Sequence, residues 1–296
     1  MKSLPAAPAL AVMLAVLFGA ALDSAIKHLG ATNGALMLSF GRYVAGSIFA
    51  AGVYALTDRR RIDADMLRFH AGRSVLIVIS STTFFYALTV MPLVEVITIG
   101  FLAPLIVPFT AFLILRERPS RESLAAALVG FAGVLVAVSG PPDAHAHPQR
   151  AMGVAAALVS VLTYAVSLTL LRVRAGKDGA PLTTLFANVL PALMLAGPAL
   201  ALHPVPPIVE WPWYGFAGAM GAMLWMLMAW AYARAPAANL APLEYTALIW
   251  SAALGWILFA EVPRPQALAG GLIIAAACIG LAWTQQRAAR RPASAL

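Results

Sequence analysis

The chain has 296 residues, 61% of them hydrophobic and only 11% charged, with a mean hydropathy of +0.84. A soluble domain is about one quarter charged, so this composition excludes a water-soluble globule and leaves room for about ten spans of about 20 apolar residues each. The net charge of +8 does not point to nucleic acid, because Lys and Arg fall in short gaps between apolar runs, as in the cytoplasmic loops of membrane proteins.

In chain order the apolar runs cover roughly 8–28, 34–57, 70–90, 92–115, 121–139, 151–173, 181–202, 212–233, 237–260 and 265–285. Helix is the reading that fits, since barrel strands would be about ten residues long and would alternate polar with apolar. The first run, with Lys2, an apolar core and Ala20-Ala21, has the look of a cleaved leader. It recurs as the sixth run, however, and is therefore expected to belong to the bundle. The single cysteine, Cys278, lies inside the last run, which leaves no disulfide framework and no cysteine metal site.

The fourth run anchors a duplication. Met91–Glu117 reads MPLVEVITIGFLAPLIVPFTAFLILRE, and Ala235–Glu261, at an offset of 144, reads APAANLAPLEYTALIWSAALGWILFAE. Pro92 falls on Pro236, Ala103 on Ala247, Glu117 on Glu261 and Pro119 on Pro263 without a gap. Each copy opens on a proline and closes on a glutamate. The same offset aligns Ala11, Leu14 and Ala21 with Ala155, Leu158 and Ala165. The expected organisation is a first five-helix repeat over 1–140, an external linker over 141–150 and a second five-helix repeat over 151–296.

Orientation follows from the basic residues. With the N-terminus inside, sixteen Lys and Arg fall on the cytoplasmic side, Arg68 and Arg73 among them, and only Lys27, Arg150 and Arg264 fall outside. Both termini are then cytoplasmic. Five spans per half is an odd number, so the second half enters from the opposite face. The expected fold is an all-α membrane protein of ten transmembrane helices in two inverted-topology repeats, a recurring plan of secondary transporters.

The MPL opening, the interior prolines and the closing glutamate of the fourth run, with PLEYTALIWSAALGWILFAE in the ninth, resemble the EamA-type branch of the drug/metabolite transporter superfamily. The resemblance implies a secondary carrier of small organic molecules in the bacterial inner membrane, more often an exporter, working by alternating access from a cavity between the halves. It does not imply a substrate: members handle amino acids, nucleosides, drugs, sugars, vitamins and metallophores. Uptake of a metabolite or vitamin such as S-adenosylmethionine or riboflavin is the alternative, and a channel a remoter one. Coupled protons and a homodimer are compatible with this reading.

Ionisable groups in a bilayer cost about 2.5–3.5 kcal/mol each on insertion scales and need a partner or a wet cavity. Glu244 lies about 10 Å into the ninth run at about 1.5 Å per residue, between Pro242 and Tyr245. Pro242 cannot donate to the Ala238 carbonyl, so a freed acceptor sits beside a carboxylate, suited to an ammonium group or a proton. Arg42 is too deep in the second run to reach the interface; it either holds a substrate carboxylate or neutralises an acid. Asp23 and Lys27, at i and i+4, are expected to pair locally, and Glu95 to favour the positive end of its helix. Gly100, Pro104 and Pro108 in the fourth run and Pro242 in the ninth are the expected helix breaks, at corresponding places in the halves. Trp225, Tyr245 and Trp250 either line the cavity or pack the bundle. All five histidines fall at or beyond run ends, and no Gly-rich phosphate loop occurs. The chain is therefore read as no enzyme, with no cofactor and no metal.

Overall fold

Prolines and end caps divide the apolar chain into helices. The computed structural model describes residues 6–57, 62–116, 121–139, 147–232, 234, 240 and 243–289. Its helices are α1 (Ala6–Leu29), α2 (Ala35–Thr57), α3 (Ala64–Val90), α4 (Leu93–Gly100), α5 (Ala103–Leu115), α6 (Arg121–Val138), α7 (Arg150–Asp178), α8 (Ala180–Leu202), α9 (Trp211–Tyr232), α10 (Ala247–Phe259) and α11 (Pro265–Ala289). Among the described residues there is no strand. Seven stretches are long and apolar enough to cross a membrane, α4 and α5 counting as one, and α10 is a shorter apolar helix.

Backbone features recur at the offset read in the sequence. Helices begin at Ala103 and at Ala247, 144 apart. The equivalent helices α5 and α10 are both 13 residues long. Both end on a residue in the left-handed conformation, Arg116 at φ 59° and Ala260 at φ 54°. Two unrelated segments would not share such a strained cap at the same register. Glu117, Pro236, Ala238 and Pro242 lie outside the described residues, as does most of the 141–150 linker.

The packing follows the small residues, as membrane interfaces do. Gly133 of α6 faces Gly270 and Ile274 of α11, where an added Cβ would come within 2.7 Å of the Ile274 side chain. Gly19 of α1 lies under Leu224 of α9. Ser80 of α3 bonds Ser160 of α7, while Arg73 donates to the carbonyl of Ser167. Those contacts run α3 and α7 antiparallel. By contrast, Gly41 lies under Tyr214 and Gly218 under Ala45, which runs α2 and α9 parallel.

Three expectations change. The third helix starts at Ala64, with the Asp63 side chain accepting from the Met66 amide at 2.7 Å. Arg68, His70 and Arg73 are therefore helical, and His70 is fully buried rather than at a span end. Pro108 does not interrupt its helix: α5 runs through it, while Pro104 occupies the first turn, where a missing N–H is harmless. Lys27 does not close onto Asp23. Pro92 has no N–H for the Leu88 carbonyl, and the Lys27 ammonium takes that carbonyl at 2.9 Å and Glu261 at 2.8 Å.

Candidate functional site

The fourth span opens where the chain turns at Phe101 and Leu102, between α4 and α5. In the second half the chain turns at Tyr245 and Thr246, immediately before α10. These positions are equivalent under the offset of 144, and they touch. The Phe101 and Tyr245 rings meet edge to face with centroids 4.9 Å apart. Tyr245 also hydrogen-bonds the Cys278 thiol of α11, whose Sγ lies 3.8 Å from the Phe101 carbonyl. The chain thus turns within the expected Gly100–Pro104 segment, while Ala238 and Pro242 of the corresponding segment lie outside the described residues.

Glu244, next to Tyr245, bears electrostatically on the Cys278 thiol and on the Tyr164 hydroxyl of α7. Tyr164 lies between Ser160 and Ser167, the two α7 residues that bond α3, so it faces inward. It still leaves 38% of its surface open. Asp23 of α1 and Arg42 of α2 face each other electrostatically. Gly221 of α9 leaves the space that Arg42 fills, since a Cβ there would lie 2.9 Å from its Nη2. The Arg42 guanidinium also rests 4.5 Å from the centroid of the Tyr43 ring, a cation–π contact. Its Nε is buried with no hydrogen-bond partner.

The other expected residues lie elsewhere. Trp225 follows Gly218 and Gly221 on the same stripe of α9 yet is 44% exposed. Trp250 packs against the contact of α1 with α9, around Val12, Val16 and Ala231. Glu95 is buried at the start of α4 between Arg150, at 2.8 Å, and Arg264, at 2.6 Å.

Several residues of this region escaped the sequence reading. Arg73 reads in the sequence as a cytoplasmic charge and Tyr164 carries no local mark; the early start of α3 was signalled by Asp63 ahead of a helix-forming stretch. Phe101 could have been found as the equivalent of Tyr245. Nothing local marks the buried pair of His70 and Asp178, 2.9 Å apart.

An all-helical chain with seven stretches of membrane-crossing length among the described residues, and two mid-chain turns that touch, has the make-up of a multi-pass membrane transporter. The EamA-like transporter family matches residues 7–139 and again 151–283, and the chain belongs to that family. Among its relatives, an S-adenosylmethionine uptake transporter of Rickettsia bellii is 22% identical over 93% of each chain. A riboflavin transporter of Brucella anthropi is 24% identical, over 88% of this chain and 93% of that one. A pseudopaline exporter of Pseudomonas aeruginosa is 25% identical, over 93% and 96%. A solved crystal structure superposes with a TM-score of 0.65 at 20% identity, over 95% of this chain and 98% of that one, which shows the shared fold. The family and these relatives are transporters, not enzymes.

Proposed function

We propose that the protein is a secondary transporter that exports a small organic molecule across the bacterial inner membrane by alternating access. Ten spans form two inverted five-span halves, with both termini cytoplasmic. The observation that carries this reading is the meeting of the two mid-helix turns, Phe101–Leu102 from one half and Tyr245–Thr246 from the other, beside Glu244. Helix interruptions free carbonyls inside a bilayer, and such backbone is tolerated only where it is buried in protein or lines a cavity. The parallel run of α2 with α9 and the antiparallel run of α3 with α7 support the inverted arrangement, because both directions follow from an odd number of spans per half. The exporter reading draws on the pseudopaline exporter among the relatives; the two relatives named for S-adenosylmethionine uptake and riboflavin keep import as the second reading.

The working site comprises Glu244, Tyr245, Arg42 and Asp23, with Trp225 at its edge. Glu244 has Gly100 as its equivalent, so the duplication carries a charge in one half only. That asymmetry suits one asymmetric ligand or a transported proton. The substrate is sought by thermal stabilisation of the purified protein with amino acids, nucleosides, vitamins and cationic drugs; a ligand at 100 times its Kd adds about 2.7 kcal/mol. The compound found is then tested in proteoliposomes. Saturable counterflow is expected, and its absence argues for a channel. Glu244→Gln keeps the shape and removes the titrating charge, so it should insert normally and lose most transport. Wild-type counterflow by this variant across the pH range removes Glu244 from the site.

A further inference from the structure

Arg73 is an arginine in the interior of the bundle, 8% exposed, nine residues past the start of α3. Its Nε donates to the Ser167 carbonyl at 3.2 Å, and its Nη1 is buried with no hydrogen-bond partner. The ionised groups around it bring no counter-charge into contact. Among the described residues the nearby carboxylate of Asp178 is taken by His70 at 2.9 Å and by Arg174 at 3.1 Å. What Arg73 does face is a pair of phenols, Tyr43 of α2 and Tyr164 of α7. An arginine held away from water costs several kcal/mol unless an anion or a full set of acceptors meets it.

The guanidinium itself is closed off, and the accessible surface nearest to it belongs to Tyr164. Tyr164 points toward α3 from between Ser160 and Ser167 and yet keeps 38% of its surface accessible. Tyr43, nearly buried, carries the Arg42 guanidinium over its ring at 4.5 Å. Two guanidiniums thus flank one phenol, and a second phenol keeps accessible surface. A guanidinium fork with phenol donors beside it matches a planar or tetrahedral oxyanion, whose oxygens take N–H and O–H donors together.

We infer that Arg73, with Tyr43 and Tyr164, forms an anion subsite that anchors a carboxylate or phosphate group of the transported molecule. The inference rests on the transporter reading above and names the chemistry its substrate must carry. Glu244 bears electrostatically on the same Tyr164 and would meet a cationic or hydrogen-donating group at the other end of the ligand.

The test uses the purified full chain in detergent, unfolded thermally at constant ionic strength with sodium acetate, inorganic phosphate, or sodium chloride as the control. Acetate or phosphate should stabilise the wild type saturably over chloride. Arg73→Gln should abolish that gain. Arg73→Lys keeps the charge without the fork and should weaken the apparent affinity at least tenfold. Absence of anion stabilisation in the wild type overturns the inference, as does equal stabilisation of Arg73→Gln. Should Arg73→Gln fail to fold, unchanged affinity in Arg73→Lys overturns it. The measurement needs no gradient, so loss of counterflow with anion binding intact would sink the transport reading alone.

Discussion

Glu95 shows how far one residue's role depends on partners remote in the chain. Its place near the start of α4 agrees with a helix-dipole role, but its carboxylate is 2% exposed and clamped by Arg150 and Arg264. Those arginines read as loop charges in the sequence. They lie 55 and 169 positions away from Glu95, a separation no local pattern encodes. Removing one partner from a buried ion cluster costs about 3–5 kcal/mol, because the remaining charges stay buried. Glu95→Gln should therefore lower thermal stability by an amount in that range, measured by unfolding in detergent. An unchanged melting temperature would show that the cluster contributes nothing. Lys27 carries the same lesson: its helical neighbour Asp23 was the legible partner, while the structure gives it Glu261 and the carbonyl freed by Pro92.

Among elements, the duplicated segments were the most legible part of the chain. The register of Ala103 with Ala247 agrees with the helix starts, turns and left-handed caps that lie 144 positions apart. Prolines were less informative one by one, since Pro108 sits inside an unbroken helix and Pro104 starts one. A proline's missing N–H matters only where the preceding turn offers a carbonyl that nothing else can take. The third helix was read short because its first residues, 64–69, carry Asp65 and Arg68 and resemble a loop beside the apolar run. Small residues set the close contacts: Gly133 and Gly270 bring α6 and α11 to backbone distance. Gly133→Val places methyl groups against Ile274 and the Gly270 carbonyl. Overpacking of this kind costs about 1–3 kcal/mol, so the variant should unfold at lower temperature, whereas Gly52→Val, with open space around it, should not.

At the scale of the molecule, polar contacts join the two repeats at opposite ends of the bundle. At one end Lys27 meets Glu261 at 2.8 Å and Asn33 meets Glu210 at 2.6 Å, beside the Glu95 cluster. At the other, His70 meets Asp178 at 2.9 Å and Arg174 reaches Asp65 at 2.6 Å. His70 precedes Leu88, the acceptor of Lys27, by 18 positions of α3, which is about 27 Å at about 1.5 Å per residue. Under the proposed alternating access one end parts while the other holds, so each cluster would bias the equilibrium toward closure on its own side. Removing about 1.4 kcal/mol from one end shifts the ratio of states about tenfold. The chain carries its own reporter, because Cys278 is its single cysteine and lies beside the meeting turns, only 7% exposed. Lys27→Gln should raise the rate at which an impermeant maleimide labels Cys278 from outside intact cells. Asp178→Asn should raise it from the cytoplasmic face of inside-out vesicles instead. A cysteine at Ala31, in a Cys278→Ala background, fixes which face is which: it should react in intact cells if the α1–α2 turn is external. If both variants change labelling equally from the two sides, the end clusters hold the fold together without governing access.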